Sequence, residues 1–375
     1  MKHLVILKSI LLIIPFVILL FLFQCKKDKP EPIDPNNPFK PTPYSITIPK
    51  FFPTKIYIPD DNPMTVEGIE LGRYLFYDGR LSGRTHPDSL MSCATCHKQE
   101  FSFECGLPLP APQGITGIST PHVMLPMINL VWNPNTLLWN GKVNKIEDLV
   151  WMSVLAPHEM YGDTNRVKSL LQTISIYPPM FKKAFGSEVI TMENISKAIA
   201  QFIRTLISSD SKFDRYLRGE LQLTPSELNG FVLFTTEEGA DCFHCHGSSG
   251  NPLFTTNLFY NNALDTVFND PRDRFSITGN AMDKGAYRAP TLRNIELTGP
   301  YMRDGRFTTL QQVIDFYSEG LLISPYVNPL MHKINDGGAQ LTSNEKNDLI
   351  SFLKTLTDTS FINNPAFKKP AELGN

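Results

Sequence analysis

The pattern Cys-x-x-Cys-His occurs twice in the chain, as "CATCH" at Cys93–His97 and "CFHCH" at Cys242–His246. The chain has only six cysteines in 375 residues, and four of them belong to these motifs. The spacing is the signature of c-type haem attachment. Two thiols three positions apart add to the two vinyl groups of one porphyrin, and the adjacent histidine reaches the iron from the same side. A structural zinc site needs four closed ligands, whereas each motif stands alone in the sequence. A thioredoxin-like disulfide needs a βαβ context and no histidine. Two haems are therefore expected, one held by Cys93, Cys96 and His97, the other by Cys242, Cys245 and His246. Within the second motif His244 reads as a spacer residue. Cys105 is left over and reads as a buried thiol.

Two haems in one chain suggest electron transfer between them, and a reaction centre wherever one iron keeps an open position. For the second haem, Tyr317 in "LQQVIDFYSEG" competes with Met302 and Met331 as the sixth ligand. For the first, the next histidines are His122 and His158. Glu159 follows His158 in the proline-bounded stretch "LAPHEMYG". A carboxylate over an open haem face moves a proton between the two oxygens of peroxide; the plainer reading is a solvated loop residue.

The N-terminus reads as a targeting segment. Lys2 and Lys8 precede an apolar run from Ile10 to Phe23, short for a bilayer span but right for a signal-peptide core. The run stops at Cys25, and Lys26 and Lys27 would sit on the wrong side for an uncleaved anchor. A lipoprotein signal is expected, cleaved before Cys25, whose thiol is then lipidated. Gln24 departs from the small residue usual at that place, and an uncleaved anchor is the alternative. The body then lies in the periplasm, tethered to a membrane. Ten prolines between Pro30 and Pro63 predict a stiff spacer, with an ordered arm packed on the body fitting better after about Tyr44. A formal charge of −2 leaves no basic footprint for nucleic acid.

Helix starts are readable near both motifs. Thr65 caps a helix through Ile69 and Leu75, and Thr191 one through Ile199 and Leu206. "TPSE" at Thr224–Glu227 and "TSNE" at Thr342–Glu345 are capping boxes. Thr308 or Thr309 opens a helix ending near Tyr317. Strand alternation is rare, so a mainly α fold with long loops is expected.

From about Asn62 to Asp358 the chain resembles the bacterial di-haem cytochrome c peroxidases and the related MauG-type enzymes. The resemblance is carried by "EGIELGRYLFYDGRLSG" leading into "SCATCH", by "NLVWNPNTLLWNGK", by "LAPHEM", by "AIAQFIRTLISSDSKFDRYLRG" and by "YRAPTLRNIELTGPYMRDGRFTTL". It implies two cytochrome c-like haem domains packed face to face, here residues 62–215 and 216–358. They follow a signal peptide (1–24) and a proline-rich linker and arm (25–61), and precede a tail (359–375). The first haem would be the peroxide site and the second would receive electrons. His97 and His246 become proximal ligands. Trp139 matches the tryptophan between the haems, Glu159 the catalytic glutamate, and Tyr317 the position of an axial methionine or tyrosine.

Departures from the family pattern are specific. Its glutamine ten after the tryptophan is Leu149. Its histidine in P-Y-x-H-D-G is Arg303. Where resting peroxidases place a detachable histidine ligand, the nearest is His122. The family also implies a calcium ion between the domains, but its asparagine falls at Val123, which removes one side-chain ligand. The implied activity is reduction of hydrogen peroxide to water with electrons from a small donor such as a cytochrome c or a cupredoxin. Two alternatives stay open: a MauG-type oxidase that uses peroxide to modify a partner protein, and a non-enzymatic electron-transfer cytochrome.

Overall fold

Threonines start the helices nearest both motifs. Thr65, Thr191, Thr224, Thr309 and Thr342 each accept a hydrogen bond from a main-chain N–H of the first turn. Each satisfies a donor that a helix start otherwise leaves orphaned. The last three are full capping boxes, with Glu227, Gln312 and Glu345 reaching back. The structure, a computed structural model, describes residues 39–84, 90–106, 111–247 and 250–374. The signal segment and Cys25 lie outside the described residues. No helix among the described residues is long and apolar enough to cross a membrane.

The fold is mainly α. Its helices are α1 (Val66–Tyr77), α2 (Cys93–Cys96), α3 (Ile146–Leu155), α4 (Thr164–Thr173), α5 (Tyr177–Phe185), α6 (Met192–Arg204), α7 (Lys212–Leu217), α8 (Pro225–Thr235), α9 (Phe243–His246), α10 (Phe275–Thr278), α11 (Leu310–Glu319), α12 (Ser343–Lys354) and α13 (Thr359–Ile362). Among the described residues, strands are limited to β1 (Phe259–Tyr260) and β2 (Tyr287–Arg288), paired antiparallel.

Two hydrophobic cores divide the helices. The first gathers α1, α3, α5 and α6 around Leu71, Leu75, Phe76, Phe181, Ile199 and Phe202. Gly72 lets α1 and α6 touch, since a Cβ there would lie 1.9 Å from the Ala198 carbonyl oxygen. The second core joins α7, α8, α11 and α12 through Phe213, Phe234, Phe254, Leu349 and Phe352. Residues 359–375, expected as a tail, contribute Phe361 and Phe367 to the first core.

The proline-rich stretch is an ordered arm from Tyr44 onward. Tyr44 donates its N–H to the Met64 carbonyl. Phe52 packs on Trp132 with ring centroids 5.2 Å apart, and Trp132 Nε1 donates to the Pro53 carbonyl at 2.7 Å. The small cluster under the arm joins Val131 and Trp132 to Leu253, so it bridges both halves of the chain.

A polar clasp sits at the junction of the halves: its ion pair lies within the second core, to which α7 belongs, and its neighbour Asn294 reaches across to the first half. Arg293 has no exposed side-chain surface and pairs with Asp214, 5% exposed, through two hydrogen bonds. Next to it, Asn294 Nδ2 donates to Ser102 Oγ at 2.8 Å, while its Oδ1 accepts from the Asp358 N–H at 2.7 Å. Ser102 follows the first motif and Asn294 follows the second.

Candidate haem sites

Each motif forms a single helical turn, with His97 directly after α2 and His246 as the last residue of α9. In the first, α2 is capped at Ser92 and Thr95 answers in a capping box. The His97 N–H closes the turn on the Cys93 carbonyl at 2.8 Å. In the second, the His246 N–H bonds the Cys242 carbonyl at 3.1 Å. One turn brings both thiols and the imidazole to one side, as a porphyrin requires.

The imidazoles are pre-set as metal ligands. His97 Nδ1 sits 2.7 Å from the Phe103 carbonyl oxygen, and His246 Nδ1 3.1 Å from that of Pro290. A carbonyl accepts only a proton, so in each ring Nδ1 carries it and Nε2 keeps a free lone pair. Burial lowers both histidines to about 4, which keeps the rings neutral. No disulfide joins the cysteines of either motif. Among the described residues no cysteine joins a group able to close around a metal ion. The residues therefore fit a haem at each motif and fit neither zinc nor a redox disulfide.

Beside the second motif lies an open-mouthed, mainly apolar cavity. Its lining includes Cys242, Cys245 and His246 on one side and Met302, Tyr317 and Met331 elsewhere. All three expected sixth ligands thus reach the same space. Tyr317, in the last turns of α11, accepts a hydrogen bond from Asn262 Nδ2 at 2.9 Å. Burial raises the Tyr317 phenol well above its ordinary value, and the Asn262 bond opposes that rise. Asn262 escaped the sequence reading; an isolated asparagine in a loop gives no local signal.

Trp139 belongs to the first half of the chain, yet it lines this second cavity. Its indole N–H donates to the Val123 carbonyl at 2.8 Å, and its ring meets Tyr287 edge-on at 6.5 Å. Its own carbonyl accepts the Arg288 N–H at 2.7 Å, across the junction. Val123 is buried, with its N–H given to the Arg303 carbonyl. Position 123 therefore offers a calcium ion no side-chain oxygen, and its carbonyl already accepts the Trp139 indole N–H. Arg303 lies over the Tyr287 ring at 4.5 Å and pairs with Asp265.

Glu159 sits in the turn after α3, close to the first motif. Burial and the Cys96 charge push the Cys93 thiol up to about 12, and the Glu159 carboxylate adds to the rise. It also contributes to Cys96, raised to about 11 by burial and Cys105. The turn is held by its backbone: the Ile115 N–H donates to the Glu159 carbonyl at 2.8 Å. Gly114 packs against this peptide so tightly that a Cβ would lie 2.1 Å from the His158 carbonyl carbon. Gly114 was missed in the sequence, where "PQGITG" reads as a plain turn. Leu149, in α3, is an apolar residue packed on the first core. His122 points elsewhere: its Nε2 lies 2.6 Å from Asp270 Oδ2, which also accepts from the Tyr287 hydroxyl. His122 is thus engaged by the second half of the chain. Cys105 is a buried free thiol, as expected.

The profile of the family described as di-haem cytochrome c peroxidase matches residues 66–222. Over 306 residues the chain is 32% identical to the methylamine utilization protein MauG of Methylorubrum extorquens, an alignment covering 81% of this chain and 82% of the relative. The chain belongs to the di-haem cytochrome c peroxidase family. It is also 30% identical to the cytochrome c551 peroxidase of Nitrosomonas europaea, covering 82% of this chain and 84% of that one. A solved MauG-like protein associated with microbial copper homeostasis superposes with a TM-score of 0.77 at 36% identity, over 87% of this chain and 99% of that one. Membership of this di-haem family implies two haems for the chain.

Proposed function

We propose that the protein is a peroxidase that reduces hydrogen peroxide to water with electrons from a small redox protein such as a cytochrome c or a cupredoxin. The observation that carries this reading is the Glu159 carboxylate beside the first motif, on a turn pinned by Ile115 and Gly114. Reduction of one peroxide to two waters consumes two electrons and two protons. When bound, the haems supply the electron-transfer chemistry, and covalent attachment adds each cysteine S–H across a vinyl double bond. Glu159 takes the proton from one peroxide oxygen and returns it to the other, so that the leaving oxygen departs as water. His158 Nε2 lies 3.8 Å from Glu159 Oε1. Trp139 carries electrons from the second cavity toward the first motif.

The test is direct. The purified protein should carry two covalent haems by intact mass, and it should oxidise a reduced small cytochrome when peroxide is added. A mass excess of one haem or none sinks the attachment. Two haems without peroxide-driven oxidation would leave a non-enzymatic electron carrier.

Tyr317 supports a second reading, a MauG-type oxidation of a partner protein by peroxide, because the resemblance associates an axial tyrosine with those enzymes. An anionic tyrosinate in an apolar cavity would need a cation beside it, which the iron of a haem held at the second motif would supply. Tyr317→Phe is then expected to change the spectrum of the second haem and raise its potential. An unchanged spectrum would hand the position to Met302 or Met331.

A lipid anchor at Cys25 would hold this chemistry at a membrane facing the periplasm. Cys25→Ser should leave the precursor unprocessed or release a soluble product. A mature wild-type chain that begins elsewhere, or bears no acyl group, would remove the anchor.

A further inference from the structure

We propose that Glu237, His244 and His332 bind a divalent transition-metal ion of the zinc class, with Asp241 orienting the two imidazoles. The three side chains come from separate places. Glu237 lies in the turn after α8, His244 inside the second motif on α9, and His332 directly after Met331. They present one donor atom each, all within 4.8 Å of one another. His244 Nε2 lies 3.6 Å from Glu237 Oε1. Two donors on a tetrahedral ion with bonds of about 2.0–2.1 Å sit roughly 3.3–3.4 Å apart, so this pair closes on an ion with little movement.

The support behind the donors is already built. His244 Nδ1 lies 2.5 Å from Asp241 Oδ1, and His332 Nδ1 lies 3.4 Å from Asp241 Oδ2. Asp241 thus accepts a hydrogen bond from Nδ1 of His244 and lies within ion-pair distance of Nδ1 of His332, the kind of carboxylate–imidazole contact that fixes tautomer and orientation in metal sites. Asp241 itself is held, with a side chain only 6% exposed. Its backbone is left-handed, φ 57°, a conformation that aspartate and asparagine tolerate better than most residues. The two imidazoles meet edge-on with centroids 4.8 Å apart.

The donor set selects the ion. Two imidazoles and one carboxylate suit zinc and its neighbours. Calcium and magnesium take oxygen ligands and gain little from imidazole. The consequence lies at the second haem cavity, because Asp241 and His332 also line it. An ion joining His332 to α9 would tie the turn that carries Met331 to the haem-attachment motif. His244, which reads in sequence as a spacer, becomes a ligand.

The full-length, haem-loaded protein tests this. After chelation and dialysis it is titrated calorimetrically with Zn²⁺ alone and with Mg²⁺ alone, and metal content is measured by mass spectrometry. The wild type is expected to hold about one zinc per chain and to give no signal with Mg²⁺. His332→Ala should lose that zinc while haem per chain stays at the wild-type value. Glu237→Gln, at an exposed position, gives the same readout should His332→Ala fail to fold. Asp241→Asn preserves the backbone conformation and should weaken zinc binding roughly 10- to 100-fold. A wild type without zinc, or variants at Glu237 and His332 that bind as tightly as wild type, would overturn the site.

Discussion

Glu159→Gln is expected to lower peroxide turnover by about 10²- to 10⁴-fold while both haems stay attached. That range is the usual contribution of a positioned general acid–base group. Splitting peroxide requires a proton to leave one oxygen and arrive at the other, and glutamine keeps the size and hydrogen bonding of glutamate without being able to accept it. Three features make the loss large here. The Glu159 main chain is bonded on both sides, its N–H to Ala156 and its carbonyl to Ile115, so the substitution should not move the turn. Leu149 stands where the family has a glutamine, so no amide at that position shares the work. The carboxylate remains partly exposed, 34%, which leaves it a route to exchange protons with water. Stopped-flow mixing of the reduced protein with peroxide gives the rate. A variant as fast as the wild type would return Glu159 to an ordinary loop residue and favour the electron carrier.

The parts of this molecule that are legible in sequence are those set by local chemistry. A cap is decided within four residues, which is why Thr224–Glu227 and Thr342–Glu345 mark helix starts without any knowledge of the fold. The haem motifs are local in the same sense, since one helical turn contains the whole attachment geometry. The apolar return after Tyr44 likewise announces the ordered arm. What the sequence leaves hidden is long-range pairing. His122 is engaged by Asp270, 148 positions away, and nothing near either residue announces the other. Asn262 bonds Tyr317 across 55 positions. Gly114 matters only because another segment passes against it. His244 sits between two motif cysteines and looks incidental, until the fold brings Asp241, Glu237 and His332 around it.

Asp214→Ala is expected to destabilise the protein by about 3–5 kcal/mol, a large share of ordinary domain stability. The reason is the charge it strands. Arg293 is fully buried, and apart from Asp214 its Nη1 has the Pro252 carbonyl at 2.7 Å. Removing one partner of a buried pair leaves the other charge uncompensated, whereas replacing both with apolar groups is often neutral. Asp214 also closes the capping box of α7, accepting the Ser211 N–H and hydroxyl at 2.7 Å each. A lost cap alone costs roughly 0.5–2 kcal/mol. Asp214→Asn separates the two contributions, because an amide oxygen still accepts from Ser211 but no longer neutralises the guanidinium. Denaturant unfolding of the haem-loaded protein measures all three chains. A loss of most of the stability in Asp214→Asn assigns the clasp to the ion pair. An Asp214→Ala chain within about 1 kcal/mol of wild type, a loss small enough for the cap alone, would show that the second core tolerates an unpaired Arg293 and that the ion pair contributes little.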